Sequence, residues 1–183
     1  MTQTATFAGG CFWCTEAIFK RLKGVESVQS GYAGGMKQNP SYEEVSMGNT
    51  QHAEAVRVTF DPAVVSYDTL LEVFWVTHNP TTLNQQGADM GTQYRSSIFY
   101  ENEEQRKTAV LSKEKMEQEK MYQDPIVTEI VPFTNFYSAE EYHKNYYDSH
   151  RDAPYCSLVI DPKIQKLLKN FGDKVKDEYR QKS

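Results

Sequence analysis

The sequence has 183 residues, of which 39% are hydrophobic and 25% charged, enough for one substantial core and short for two. Its formal net charge is −5, and no basic run interleaved with aromatics is present, which argues against nucleic acid as a partner. No apolar stretch approaches the roughly 20 residues of a membrane helix, and residues 1–10 lack the charged start and long apolar run of a signal peptide, so a single cytoplasmic domain over 1–183, monomeric, is expected.

Residues 4–8 read as a short apolar strand. Gly9-Gly10 permits a sharp reversal, and Ala17, Ile18 and Leu22 then supply a helical stripe ended by Gly24. Residues 25–33 alternate as a strand that Gly31-Tyr32-Ala33-Gly34-Gly35 breaks, and a polar loop of about 16 residues follows over 36–51, long enough to mark function. Residues 53–60 read as a strand with Glu54 at its start. Ser66 caps an expected helix carrying Leu70, Leu71, Phe74 and Trp75, which Asn79-Pro80 stops. A second long loop over 80–93 leads through Tyr94 into a strand at 95–100. Residues 102–120 are highly charged, with apolar positions only at Ala109, Val110, Leu111 and Met116, the pattern of a solvated helix packed by one narrow face. A strand at 126–131, a helix at 138–147 opened by a Ser138/Glu141 capping box, a last strand at 155–160 and a helix opened by Asp161-Pro162 complete the chain. This order predicts a two-layer α+β domain with helices packed on a mixed or antiparallel sheet. A parallel dinucleotide-binding arrangement is disfavoured, because Gly9-Gly10 lacks the spaced third glycine.

Three cysteines are too few for a disulfide scaffold, so the Cys11-Phe12-Trp13-Cys14 pair points to chemistry. Zinc would need two further ligands, and His52, His78, His143 and His150 show no short paired spacing, so no metal or other cofactor is expected. Cys11 falls at a helix N-terminus, where unpaired N–H groups and the helix dipole favour a thiolate. Phe12 and Trp13 beside it suggest an aromatic wall. A thioredoxin-like disulfide pair remains the alternative reading of these residues.

Gly10-Cys11-Phe12-Trp13, Gly31-Tyr32-Ala33-Gly34-Gly35, Pro40-Ser41-Tyr42-Glu43, His52-Ala53-Glu54, Asn79-Pro80-Thr81-Thr82, the run from Asp89 to Ser96 and Ala139-Glu140-Glu141-Tyr142-His143 together resemble peptide methionine sulfoxide reductase, type A, over nearly the whole chain. The resemblance implies a ferredoxin-like α+β core and reduction of the S epimer of methionine sulfoxide, free or in oxidised proteins, with thioredoxin as reductant. It implies Cys11 as nucleophile, Glu54 as acid, and Tyr42 and Tyr94 as donors to the sulfoxide oxygen. By the same resemblance Phe12 and Trp13 hold the methyl group, and Asp89 and His143 place the substrate backbone. The chain departs from the family pattern with Cys14 where glycine is frequent, Asn79 where aspartate is common and Lys144 where glutamine is common.

Elementary chemistry asks for the same set. Thiol attack on the sulfoxide sulfur requires a proton for its oxygen, which Glu54 can give near pH 7 only if burial raises its pKa. The methyl group needs an apolar wall, and sulfur at an aromatic edge gains about 0.3–1.5 kcal/mol. For the cysteine that resolves the sulfenic acid, Cys14 is expected over Cys156, since residues three apart in a helical turn have Cα atoms about 5 Å apart, within disulfide span. Cys156 reads as a core thiol sharing a strand face with Leu158 and Ile160. Residues 161–183 contain no cysteine, so a resolving thiol in the C-terminal tail, which the resemblance makes frequent, is not expected.

Overall fold

The computed structural model describes residues 1–180, and no helix among them is long and apolar enough to cross a membrane. In chain order it runs β1 (Gln3–Gly9), α1 (Phe12–Phe19), β2 (Val25–Ala33), α2 (Tyr42–Ser46), β3 (Ala53–Phe60), α3 (Tyr67–Thr77), a two-residue hairpin of β4 (Gln85–Gln86) and β5 (Asp89–Met90), β6 (Ser96–Tyr100), α4 (Glu103–Gln118), β7 (Glu129–Pro132), β8 (Phe136–Ser138), α5 (Tyr146–Ser149), α6 (Asp161–Phe171) and α7 (Asp177–Arg180). It is a mixed α+β fold. Six strands form one sheet in the order β7-β6-β1-β3-β2-β8, antiparallel throughout except for the parallel β6–β7 edge.

The central strand β1 is buried on both faces from Ala5 onward, as a strand covered on both sides is. Phe7 stacks on Phe19 of α1 and Phe74 of α3 in the main core, while Ala8 joins Ala33, Ala53, Ala55 and Phe99 in a smaller cluster. Small residues in that second cluster let Phe133 of the β7–β8 connection and Phe136 of β8 pack against it. Helix α3 starts where Ser66 was expected to cap it, its side chain accepting from Thr69 N, and Asn102 does the same for α4 through Gln105 N. On α4 the buried face is narrower than the apolar sequence positions suggest: Ala109 and Met116 are buried and Leu111 is exposed.

Four expectations are corrected. The loop at 36–51 holds α2, closed by a Ser41/Glu44 capping box, a short helix too weakly apolar to show periodicity. The Ser138/Glu141 box does not form. Ser138 instead ends β8, paired with β2, and Glu141–His143 make a 3-10 turn before α5. The strand expected at 126–131 starts only at Glu129. The strand expected at 155–160 is a π-helical turn, Cys156–Ile160, continuous with α6. Pro162 explains it: a proline ring inside a regular α-helix collides with the carbonyl four residues back, here Leu158, and a widened turn relieves the clash. Burial follows the helix and not a strand face, with Cys156 and Ile160 at 0% exposure and Leu158 at 76%.

The β2–β8 pairing depends on Gly31, where an added Cβ would sit 2.4 Å from the Tyr137 carbonyl oxygen. Gly31→Ala is expected to push β8 off the sheet and lower stability by about 1–3 kcal/mol, read as a reduced urea midpoint. An unchanged midpoint would mean that the edge strand yields freely.

Candidate active site

Gly10, at φ +91°, turns the chain out of β1, and an added Cβ there would meet Gln86 Cγ at 2.6 Å, so the turn and the β4–β5 hairpin approach closely because of that glycine. The turn delivers Cys11 to the N-cap of α1. The first helical N–H, of Phe12, donates to Glu54 Oε2 at 3.0 Å, which fastens the carboxyl of β3 beside Cys11. Glu54 is 1% exposed, and burial raises its pKa to about 8 against the opposing hydrogen bond from Phe12 N. It therefore carries a proton at neutral pH.

The Phe12 N–H serves Glu54, and the hydrogen bond that Trp13 N gives the Cys11 thiol is outweighed by burial, which corrects the expectation of a resting Cys11 thiolate. Burial pushes the Cys11 thiol well above its ordinary range, and the hydrogen bond with Cys14 and the Glu54 charge act in the same direction. Cys14 goes the other way, to about 7: the hydrogen bond from Cys11 favours its thiolate over the cost of burial, and the Lys163 ammonium and the Tyr155 hydroxyl add to this. The two thiols thus share a proton held mainly by Cys11.

Around them lies an aromatic enclosure. Phe12, fully buried, packs at 4.9 Å from the His143 ring and 5.8 Å from Tyr32. Trp13, half-buried, stacks on Tyr146 at 3.6 Å and donates from Nε1 to His143 Nδ1 at 3.0 Å. That bond fixes the His143 tautomer with its proton on Nε2, and burial lowers the pKa of the ring and keeps it neutral. His143 Nε2 has no partner among the described residues. Tyr42 opens α2, its ring 4.6 Å from His143, and Tyr94 ends the 3-10 turn Thr92–Tyr94. Burial first, and then the Glu54 charge, raises the pKa of both phenols, so both remain O–H donors.

The structure thus gathers Cys11, Phe12, Trp13, Cys14, Tyr42, Glu54, Asp89, Tyr94 and His143 from five separate stretches of chain. It also adds residues the sequence reading did not single out. Tyr155 donates to Asp89 Oδ2 at 2.7 Å and lies 3.7 Å from Cys14 Sγ. Glu140 accepts from Tyr32 Oη at 2.8 Å and from Tyr42 N at 3.0 Å, which anchors the start of α2. Both stood in the open: a tyrosine beside a cysteine and a glutamate in a quoted motif carry no spacing signal. Asn79 serves the turn after α3, accepting from Thr81 N and exchanging hydrogen bonds with Gln86 of the hairpin, and Lys144 is exposed beside Glu141. Among the described residues no group of three or more His, Cys, Asp or Glu could hold a metal ion.

Residues 3–175 match the family model described as peptide methionine sulfoxide reductase. The chain is 56% identical over 176 residues to a peptide methionine sulfoxide reductase MsrA of Saccharolobus solfataricus, covering 95% of this chain and 97% of that one. Its fold is similar to that of Mxr1 from Saccharomyces cerevisiae in reduced form, with a TM-score of 0.79 and 35% identity over 85% of this chain and 89% of that one. Mxr1 in complex with Trx2 aligns with a TM-score of 0.57 and 26% identity over 79% and 84%. With family match, sequence identity and fold in agreement, the chain belongs to the peptide methionine sulfoxide reductases.

Proposed function

We propose that this chain reduces the S epimer of methionine sulfoxide, free or in oxidised proteins, through Cys11, with thioredoxin restoring the thiols. The carrying observation is the buried, protonated Glu54 fastened beside a thiol at an aromatic enclosure. Tyr42 and Tyr94 donate to the sulfoxide oxygen, Phe12 and Trp13 wall the methyl group, and the free Nε2–H of His143 with Asp89 holds the substrate backbone. As Cys11 attacks the sulfoxide sulfur, its proton passes to the Cys14 thiolate and Glu54 protonates the oxygen. The oxygen ends on Cys11 as a sulfenic acid and the thioether leaves. Cys14 then displaces that oxygen as water, forming a Cys11–Cys14 disulfide. The hydrogen bond between the two thiols supports Cys14 as the resolving residue, against Cys156, which is fully buried.

The complex of the yeast relative Mxr1 with Trx2 supports thioredoxin as the reductant. The succession β1-α1-β2-β3-α3-β6, with strand order β6-β1-β3-β2, supports a ferredoxin-like two-layer core within one catalytic domain. A cytoplasmic monomer completes the reading.

The test is thioredoxin-coupled turnover of resolved sulfoxides, with activity expected on the S epimer and none on the R epimer. Disulfide mapping after one equivalent of methionine sulfoxide is expected to show Cys11–Cys14, and a Cys11–Cys156 bond at wild-type rate in Cys14→Ser would reassign the resolving thiol. Trp13→Ala, which removes the wall and leaves thiol and acid in place, is expected to raise KM. Unaltered KM and stereoselectivity would make Trp13 a packing residue.

A further inference from the structure

We propose that Tyr155 and Asp89 form a proton relay that ionises Cys14 for the resolving step. This rests on the reading of Cys14 as the resolving thiol.

The need arises from the first step, after which Cys14 holds the proton taken from Cys11. A protonated thiol is a poor nucleophile, and Cys14 is 3% exposed, so its proton escapes to water only slowly near neutral pH. The hydroxyl of Tyr155 lies 3.7 Å from Cys14 Sγ, and the same hydroxyl donates to Asp89 Oδ2 at 2.7 Å. A phenol has one proton and can accept as well as donate. While that proton points at Asp89, the phenol oxygen is the acceptor for Cys14 S–H. Moving both protons one place leaves a Cys14 thiolate facing a Tyr155 O–H, with Asp89 protonated. The thiolate attacks the Cys11 sulfenic sulfur, the S–S bond forms as the S–O bond breaks, and the departing hydroxide takes a proton from Glu54, refilled from solvent. Asp89 is half-buried and returns its own proton to water. Oxidation state changes only at the sulfurs, so no further reactant enters.

The local fold keeps these atoms in line. Tyr155 is seated just before the π-helical turn of Cys156–Ile160, its ring edge-on to Trp13 at 5.8 Å and 81°. Asp89 lies in β5, whose hairpin partner Gln86 is bonded to Asn79 in both directions. The charged and titratable groups acting on Cys14 are Cys11 at the head of α1, Lys163 of α6, Tyr155 and Asp89. Glu54 of β3 and Cys156 in turn respond to the charge of Cys14. Of these, only Tyr155 offers Cys14 a route to a carboxylate through a single hydroxyl.

The experiment uses the full chain, reduced and mixed with one equivalent of methionine S-sulfoxide, with methionine release and disulfide formation followed separately by quench-flow from pH 6 to 9. The conservative Tyr155→Phe keeps the ring against Trp13 and removes only the hydroxyl. Its disulfide step is expected to be about tenfold or more slower than wild type at pH 6.5 and within about twofold at pH 9, where the thiol ionises unaided. Asp89→Asn, which still accepts from Tyr155 but cannot take its proton, should give the same pH-dependent ratio, and the double variant should be no slower than either. A ratio that is constant with pH would make Tyr155 a packing residue, and a ratio of one would remove it from the step; either overturns the relay. If the wild-type chain forms no Cys11–Cys14 bond at all, the assignment of Cys14 fails first, and the mapped disulfide shows it independently of the pH profile.

Discussion

Cys11→Ser is expected to abolish methionine formation, in single turnover as well as at steady state. A serine hydroxyl has almost no anion at neutral pH, and a Cys14 thiolate with a pKa of about 7 is far too weak a base to take its proton. The change is nearly isosteric at a buried position, so the fold should persist with a urea midpoint close to wild type. That separates lost chemistry from lost structure. Methionine released beyond a trace by the serine variant would move the nucleophile to Cys14, which is already the more acidic thiol.

Glu54→Gln should slow the chemical step by about 10²–10⁴-fold, the usual contribution of a placed general acid, while Cys11 still reacts with an alkylating reagent. Glutamine keeps the oxygen that accepts from Phe12 N and loses only the transferable proton. Its effect on stability has the opposite sign. In the folded chain Glu54 keeps its proton up to about pH 8, whereas in the unfolded chain it releases it near the ordinary 4.5. The native state binds the extra proton across that window, so wild-type stability falls as pH rises from about 4.5 to 8, by a few kcal/mol in order of magnitude. Glutamine does not titrate. The variant should therefore gain stability relative to wild type between urea melts at pH 5 and pH 9, and an equal difference at both would show that Glu54 folds already ionised.

Much of this fold was legible because apolar periodicity and capping act locally. β1, β2, β3 and α3 fall where alternation, Ser66 and the glycines place them. What failed did so for non-local reasons. Tyr-Cys-Ser-Leu-Val-Ile has the composition of a strand, and only its attachment to a helix containing Pro162 turns it into a π-helical turn. Ser138 and Glu141 have the spacing of a capping box, yet a free edge of β2 captures Ser138 into β8. In the site, the nucleophile turn and the strand-borne acid were visible from residue type and position. The Cys11 protonation state was not, because burial of the thiol by residues far along the chain outweighs what the helix N-terminus offers it, and the Glu54 charge acts with burial. Tyr155 was invisible for the same reason, its partner Asp89 being 66 residues away.

Residues 174–176 pair with the stretch that follows the first helix: Lys23 N donates to the Lys174 carbonyl at 2.8 Å, Lys176 N to the Arg21 carbonyl at 2.8 Å, and Leu22 bridges Val175. β1 in turn lies between β3 and β6, so the nucleophile turn is built from residues made well before those that pack around it. During synthesis Cys11 and Cys14 leave the ribosome long before Glu54, Tyr94, His143 and Tyr155 exist to enclose them. Contacts this distant in sequence cannot form early. The nascent chain therefore passes through an interval in which its repair thiols stand open to the same oxidants whose damage the finished enzyme reverses, and the speed of translation sets how long that exposure lasts.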